Sequence, residues 1–299
     1  MTILDASPTR LKISLGNYPH TAPLKAGSVR SPHLAFEFTD LHPAHLAFKP
    51  MVRELRFDVS EMAIVTYLQA KAFGKPLVLL PVVMLGRFQH HCMLYNSARG
   101  TIGPADLRGR RVGVRAYTQT TGAWLRGILA RDYGVASDSV RWVTFEDAHV
   151  AEYRDPPGVE RAAAGKTLDG MLDTGEIDAA IYGAELPDDP RLKSVIPDPQ
   201  AAAEAWHRKY GVVPINHMVV VCERLTKSRP DVVRELYDLF VRAKRAAAPA
   251  EPSGIDFHPT GVAACRPALA MIIDYAVEQR LIPRRFTVDE LFDETTGTL

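Results

Sequence analysis

The chain has 299 residues, of which 46% are hydrophobic and 24% are charged, so it is long enough to form two lobes. Its formal net charge is +1, from 36 lysines and arginines against 35 aspartates and glutamates. This balance gives no electrostatic reason to expect a nucleic acid or an anionic membrane as a partner.

The N-terminal sequence MTILDASPTRLKISLG lacks the basic region, apolar run and small-residue cleavage site of an export signal. The longest apolar run, 77–85, is interrupted by Pro81 and is too short to span a bilayer. The three cysteines form no CxxC pair, so neither a disulfide framework nor a zinc–cysteine site is indicated. We therefore expect a cytoplasmic protein, although removal of an export signal would leave the same pattern.

Apolar runs typical of strands alternate with stretches typical of helices along most of the chain. Strands are predicted at 11–15, 34–38, 57–62, 77–83, 92–95, 111–116, 140–145, 177–182 and 215–221. Helices are predicted at 44–55, 64–73, 123–132 and 167–173, and the chain is mostly helical after Pro230. This alternation predicts an α/β fold with largely parallel sheets covered by helices.

Two stretches rich in turn-forming residues, 95–111 and 210–221, are predicted to be hinges. The chain would leave one lobe at the first hinge and return at the second. We therefore expect residues 97–214 to form an inserted middle lobe, and residues 1–96 with 215–299 to form a discontinuous outer lobe. Ligands of such folds bind in the cleft between the lobes, at strand carboxyl ends and helix N-termini.

A group of polar side chains separates a predicted strand from a predicted helix: Thr118, Gln119, Thr120 and Thr121. Thr120 or Thr121 can cap the helix, whose free N–H groups and positive dipole end favour an anion. Arg115 or Arg126 could add positive charge beside this turn. The alternative interpretation is a threonine-capped helix that binds nothing.

The sequence DLRGRRVGVRAYTQTTGAWLRGILARDYGV resembles the 4,5-dihydroxyphthalate decarboxylase family, which has the fold of type II periplasmic solute-binding proteins. The matching positions are Tyr117, Gln119, Thr121 (or Thr120), Trp124, Arg126, Gly127, Ile128 and Leu129. FDVSEM at 57–62 and VVPINHMVVV at 212–221, which contains His217, resemble further family motifs in the same order. The resemblance covers nearly the whole chain and implies a two-lobed α/β fold with a substrate cleft between the lobes.

The chain departs from the family pattern at several arginine positions. His20, in YPHT, stands where an arginine is usual, and Gly86 and Gln89 fall at two more arginine positions in PVVMLGRFQHH. Arg87 lies between the latter two. Each lost guanidinium would remove charge-assisted bonds worth about 1.5–3 kcal/mol each, so we expect a ligand less acidic than, or differently substituted from, a dihydroxyphthalate.

Three residues are candidates for proton transfer, which decarboxylation of a hydroxylated aromatic acid requires. His217 is the first, because it matches the family and lies near a predicted strand end; alternatively, its ring only holds the hinge. His90 matches the family too, and its neighbour His91 would point to the opposite face of a predicted strand. Glu61 could accept a phenolic proton, or it could cap the helix that begins near Ala63.

No metal or other cofactor is predicted, because HxH, HExxH, GxGxxG and P-loop motifs are absent. His42 and His45 have a three-residue spacing but no identifiable carboxylate partner for a metal site. The oligomeric state is left open, and a homo-oligomer remains an alternative to a monomer.

The leading interpretation is a cofactor-independent decarboxylase acting on a hydroxylated, phthalate-like aromatic acid or a related carboxylic acid. The expected substrate-binding residues are Tyr117, His20, the turn Thr118–Thr121, and one or more of Arg87, Arg115, Arg126 and Arg266. The alternative is a solute-binding protein that captures a small organic anion for an ABC-type transporter or a sensor, since fold alone does not decide function.

Overall fold

A computed structural model describes residues 7–183, 185–247 and 254–299. Residues 1–6, the start of the N-terminal sequence on which the expectation about an export signal rests, lie outside the described part. The chain divides into two compact units. Unit 1 comprises Met1–Gly86, Ile215–Leu269 and Phe286–Leu299, and unit 2 comprises Arg87–Pro214 and Ala270–Arg285. Within the described ranges, no helix has the length and apolar character needed to cross a membrane.

The elements alternate along the chain as the sequence predicts. The first part of unit 1 contains β1 (Thr9–Ser14), α1 (Ala22–Lys25), β2 (Leu34–Phe38), α2 (Phe48–Glu54), β3 (Val59–Ala63), α3 (Ile64–Ala72) and β4 (Leu77–Gly86). Unit 2 contains β5 (Met93–Asn96), β6 (Arg111–Val114), α4 (Thr120–Tyr133), β7 (Arg141–Thr144), β8 (Glu160–Arg161), α5 (Leu168–Thr174), β9 (Ala179–Ile181), β10 (Leu192–Ser194) and α6 (Pro199–Tyr210). The remaining elements are β11 (Ile215–Cys222), α7 (Glu223–Ser228), α8 (Pro230–Ala247) and α9 (Val262–Glu278).

The sheet of unit 1 has the strand order β2-β1-β3-β11-β4. β1 runs parallel to β2 and β3, whereas β11 runs antiparallel to both β3 and β4. Val232, Leu236 and Leu239 follow helical spacing on α8 and pack with buried strand residues such as Ile13 and Leu80. This core supports the central strands β3 and β11, which carry Glu61 and His217.

The sheet of unit 2 has the strand order β10-β5-β9-β6-β7-β8. β6, β7, β8 and β9 form its parallel part, and β5 pairs antiparallel with β9 and β10. Its core includes Val143 on β7, Leu172 on α5 and Ile177. The buried N-terminal half of α4 follows β6 directly, which brings the threonine turn to the carboxyl end of a parallel strand.

The α/β fold is confirmed, but the sheets are mixed rather than largely parallel, because β5, β10 and β11 run antiparallel to their neighbours. The short strands β8 and β10 were not predicted, since neither forms an apolar run. Residues 90–92 form a 3-10 helix and not part of a strand.

The unit boundaries differ from the sequence-based ones at two places. β5 was expected in the outer lobe, but its pairing with β9 and β10 makes it part of the unit 2 sheet. Residues 270–285 also group with unit 2, where the Tyr275 ring packs edge-on against Trp124 of α4 at a centroid distance of 5.6 Å. The sequence pattern used to place the boundaries consists of strands and turns, so it could not show that the second half of α9 packs in unit 2.

Candidate active site

A buried carboxylate lies near the carboxyl end of β3. Glu61 is only 1% exposed and faces Val219 across the antiparallel β3–β11 pair. His217 lies two residues from Val219 on β11 and is therefore the diagonal neighbour of Glu61 on the same face of the sheet. The pairing register alone brings these two side chains together.

Glu61 accepts a hydrogen bond at each carboxylate oxygen. Oε2 accepts from the backbone N–H of Gly16 at 2.8 Å, and Oε1 accepts from the Tyr18 hydroxyl at 2.7 Å. His217 Nδ1 lies 2.6 Å from the same Oε1. Glu61 does not cap α3, whose N-cap residue is Ala63 and has no side-chain cap bond. This geometry favours the functional interpretation of Glu61 over the capping one.

The charge state of Glu61 follows from these donors. Burial by itself would raise the pKa of Glu61, but the hydrogen bond and charge of His217, with the bonds from Tyr18 and Gly16, hold it below its ordinary value. Burial beside this carboxylate also raises the pKa of Tyr18 far above its ordinary range. At neutral pH the Glu61 carboxylate is therefore ionised and the Tyr18 phenol is protonated.

The ring of His217 is fixed from two sides. An ionised carboxylate can only accept hydrogen bonds, so Nδ1 carries the proton in the bond to Glu61. The Phe48 ring packs edge-on against the imidazole at a centroid distance of 5.1 Å. The His217 side chain remains 18% exposed, which leaves Nε2 as the nitrogen for an incoming ligand.

His20 lies beside Tyr18 in unit 1. Its ring stacks parallel to the Tyr18 ring at 5.2 Å, and the His258 ring lies on it at 4.4 Å. Burial, reinforced by the charges of His258 and Lys244, lowers the pKa of His20 to about 4. At neutral pH this position therefore carries a neutral imidazole and cannot replace an arginine as a cation.

In unit 2, Arg87 contacts the start of α4. Its guanidinium donates to Thr121 Oγ1 at 3.2 Å and to Cys92 Sγ at 2.7 Å, and it lies 3.5 Å from His91 Nε2. Thr120 and Thr121 are the first two helical residues, and the N-cap residue is Gln119, whose side chain makes no cap bond. The prediction that Thr120 or Thr121 caps the helix is therefore wrong, because α4 begins earlier than expected.

The chain is similar in sequence to two characterised proteins. The chain is 31% identical over 254 residues to a 4,5-dihydroxyphthalate decarboxylase of Comamonas testosteroni, covering 81% of this chain and 76% of that protein. It is 32% identical over 211 residues to a 4,5-dihydroxyphthalate decarboxylase of Pseudomonas putida, covering 66% of this chain and 81% of that protein.

The chain belongs to the 4,5-dihydroxyphthalate decarboxylase family. No family model matches the chain. Both relatives carry the name of an enzyme, and the family is the one that the sequence motifs resemble.

Solved structures confirm the fold of this family member. The aliphatic sulphonate-binding protein SsuA of Escherichia coli superposes with a TM-score of 0.61 at 12% identity, covering 96% of this chain and 98% of that one. The desulfurization enzyme DSZB superposes with a TM-score of 0.55 at 15% identity, covering 96% and 97%. The fold is thus that of periplasmic binding proteins, and it serves both a binding protein and an enzyme.

Two of the four candidate arginines in this family member form ion pairs within their own units. Arg115 pairs with Glu146 at 2.9 Å, and Arg266 pairs with Asp289 at 2.6 Å. Each guanidinium thus has a carboxylate partner on the protein surface, and carboxylate binding by Arg115 or Arg266 stays a prediction.

Arg126 is also committed to the interior of unit 2. It is 1% exposed, donates to Gln279 Oε1 at 2.7 Å and to the Tyr117 carbonyl at 2.6 Å, and lies 4.0 Å from the Tyr117 ring centroid. Arg126, Tyr117 and Trp142 line a cavity of about 360 Å³ in unit 2. Their mutual contacts give Arg126 and Tyr117 a structural role in the interior, and substrate binding by these two residues stays a prediction.

His90 is buried in the core of unit 2. The side chain is 1% exposed, and its ring packs edge-on against Trp206 at 5.9 Å. Burial lowers the pKa of His90 to about 4, so the ring is neutral at neutral pH. The 3-10 helix turns His90 into the core of unit 2, and its catalytic role stays a prediction.

Of the remaining polar residues of the turn, Thr118 is buried and Gln119 is partly exposed. Thr118 is 5% exposed, and Gln119 donates to the Tyr182 carbonyl at 3.5 Å. His42 contacts Asp40 and Asn17, and the described residues contain no group of three side chains suited to a metal. Sequence reasoning missed Tyr18, although it stands in the YPHT stretch directly before the next helix, and it missed the Gly16 amide.

Proposed function

We propose that this chain is a carboxy-lyase that decarboxylates a hydroxylated, phthalate-like aromatic acid, with His217 as the proton donor. The observation that carries the proposal is the 2.6 Å bond between His217 Nδ1 and the buried Glu61. A carboxylate that orients an imidazole and leaves its second nitrogen for a ligand is an arrangement for proton transfer. Membership of the decarboxylase family supports the reaction class.

The reaction needs one proton and no redox step. His217 Nε2–H donates its proton to the ring carbon that carries the carboxylate, while a ring hydroxyl supplies electron density. The bond between that carbon and the carboxylate then breaks, its electron pair restores the aromatic ring, and CO₂ leaves. His217 ends neutral and takes a new proton from solvent. Before the proton transfer, the negative charge of Glu61 stabilises the imidazole ring of His217 in its doubly protonated, charged form.

Carboxylate recognition is assigned to Arg87 and the start of α4. No carboxylate pairs with Arg87 in the described part of the chain, and its Nε is buried without a hydrogen-bond partner there. The first turn of a 14-residue helix adds a positive dipole end to the guanidinium. Arg126 Nη1 is likewise buried without a partner among the described residues, but the other nitrogens of Arg126 bond to Gln279 and Tyr117. Arg87 contacts the start of α4 through Thr121 and is therefore the arginine that we assign to an anionic ligand.

The substrate would carry fewer acidic groups than the family pattern accommodates. Gly86 and Gln89 provide no cation beside Arg87. His20 is neutral at neutral pH in the structure. A monocarboxylate or a differently substituted phthalate suits these neutral positions better than a dicarboxylate does.

The compartment is part of the proposal. The three cysteines, Cys92, Cys222 and Cys265, are buried free thiols, which suits a reducing cytoplasm. Fractionation of the native host, with the compartment of the full-length protein as readout, tests this assignment.

The test is incubation of the full chain with a panel of hydroxybenzoates and hydroxyphthalates, followed by CO₂ release and ligand binding. We expect turnover of at least one compound and loss of that turnover in His217→Ala. The matched control is His33→Ala, which removes an exposed histidine of unit 1. Binding without turnover across the panel would favour a solute-binding protein, and full activity in His217→Ala would remove that residue from the reaction.

A further inference from the structure

We propose that Tyr18 is a positioning residue: its hydroxyl fixes the Glu61 carboxylate and, through Glu61, the ring of His217. The inference rests on the proposed function of His217. Tyr18 bonds to Glu61 and is not assigned a contact with the reacting atoms.

The bond pattern at Glu61 Oε1 carries the inference. This one oxygen accepts from the Tyr18 hydroxyl at 2.7 Å and lies 2.6 Å from His217 Nδ1. The Gly16 amide at 2.8 Å holds the other oxygen. With all three donors present, rotation of the carboxylate breaks at least one charge-assisted bond. Without the phenol, the Gly16 amide would still hold Oε2, but Oε1 would keep the imidazole as its one donor among those named here.

The local chain is built around the Tyr18 ring. Thr21 Oγ1 accepts from the Tyr18 backbone N–H at 3.0 Å and donates to the Gly16 carbonyl at 3.0 Å. A Cβ atom added at Gly16 would lie 2.6 Å from the Tyr18 ring, so only glycine allows this close approach. The parallel ring of His20 covers Tyr18 at 5.2 Å. These contacts direct the hydroxyl toward Glu61.

The charged and titratable groups around Glu61 set the direction of the expected effect. His217 and Tyr18 bond to the carboxylate, and the charge of Lys25 also interacts with it. His20 lies nearby and would add a positive charge only in acid, because its pKa is lowered to about 4. Burial favours the protonated form of Glu61, and the donors oppose it. Loss of the Tyr18 hydroxyl therefore raises the pKa of Glu61 and leaves more of it protonated in mild acid.

The experiment compares the wild-type chain with Tyr18→Phe in two measurements. The first follows the Glu61 carboxyl by ¹³C NMR against pH, with Glu61→Gln used to assign the signal. The second is the pH profile of kcat and KM for a compound that the wild type turns over. We expect the carboxyl midpoint and the acid limb of kcat to move up together by about one pH unit, with little change in KM.

A buried tyrosine elsewhere in unit 1 provides the matched control. Tyr67 donates to the Leu291 carbonyl and accepts from the Leu79 amide, so Tyr67→Phe removes a buried hydroxyl without touching Glu61. We expect it to lower Tm and to leave the Glu61 signal and the pH profile unchanged. If Tyr18→Phe folds poorly, Gly16→Ala serves as a second variant. Its added Cβ displaces the Tyr18 ring, so it should shift the Glu61 titration in the same direction.

Unchanged Glu61 titration and an unchanged pH profile in folded Tyr18→Phe would overturn the inference. An equal shift in Tyr67→Phe would also overturn it, because the effect would then be a general loss of stability. If no compound is turned over, the carboxyl titration alone decides the role of Tyr18. Failure of the proposed function is thereby kept separate from failure of this inference.

Discussion

His217 Nδ1 lies 2.6 Å from Oε1 of Glu61, a carboxylate that is 1% exposed and sits diagonally across the β3–β11 pair. Because both residues lie on paired central strands, their separation is set by backbone register and not by flexible loops. The carboxylate accepts a hydrogen bond from Nδ1–H, which leaves Nε2 for a ligand. Nε2 donates a proton when the ring is charged and accepts one when it is neutral. This relationship underlies the first prediction.

Glu61→Gln should lower kcat by about 10²–10⁴-fold, because an amide neither stabilises the charged imidazole nor enforces the Nδ1–H tautomer. The measurement is steady-state kinetics on the compound that the wild type decarboxylates. The control is Glu146→Gln, which removes the carboxylate paired with Arg115 on the surface of unit 2 and should leave kcat unchanged. A Glu61→Gln enzyme with a wild-type kcat would show that the pair is only structural.

Arg87→Lys should raise KM by roughly 10–100-fold with a smaller effect on kcat, because a lysine cannot form the two parallel bonds of a guanidinium with a carboxylate. Isothermal titration with the substrate or a non-reacting analogue measures the same loss as Kd. Arg266→Lys is the control, since Arg266 is paired with Asp289, and its KM should stay at the wild-type value. Equal losses in the two variants would remove Arg87 from carboxylate recognition.

Arg126→Met should destabilise unit 2 by about 2–4 kcal/mol, because it leaves Gln279 Oε1 and the Tyr117 carbonyl without their buried donor. The measurement is chemical unfolding followed by Trp124 or Trp142 fluorescence. KM per folded molecule should be unchanged, which distinguishes a structural arginine from a substrate-binding one. A raised KM with wild-type stability would support substrate binding by Arg126.

The order and type of most elements could be predicted from the sequence, because apolar runs and helical spacing reflect burial directly. β2 matches its predicted bounds, and β4 and β11 extend theirs by only a few residues. The antiparallel direction of β11 could not be predicted, since periodicity contains no information on strand direction. The short strands β8 and β10 are fixed by their neighbours and not by their own composition.

In the candidate site, too, some features could be predicted from the sequence and others could not. His217 and Glu61 were both named from their motifs, but nothing in their separation of 156 residues predicts a bond between them. The arginines were the least predictable residues, because the partner of a long charged side chain depends on tertiary contacts. Arg126 matches a family position and is nevertheless bonded to Gln279, a residue of the C-terminal region. Motif membership therefore identified relevant residues without assigning their roles.

Acid should destabilise the protein through two buried histidines. Burial lowers the pKa of His20 and of His90 from 6.5 to about 4 in the folded chain, so between these values only the unfolded chain takes up their protons. The two histidines therefore do not lower the free energy of unfolding above pH 6.5, and they lower it progressively as the pH falls toward 4. The lowered pKa of Glu61 acts in the same direction at still lower pH.

His90→Phe isolates one of these contributions. The free energy of unfolding of the wild type falls between pH 7 and pH 4.5, and His90→Phe should make this fall smaller by roughly 2–3 kcal/mol. The comparison uses the change between the two pH values and not the absolute stability of the variant. Urea unfolding at several pH values measures this change. His33→Phe, at an exposed site, is the control and should leave it unchanged. A change in His90→Phe equal to that of the wild type would show that the buried ring takes up its proton without unfolding.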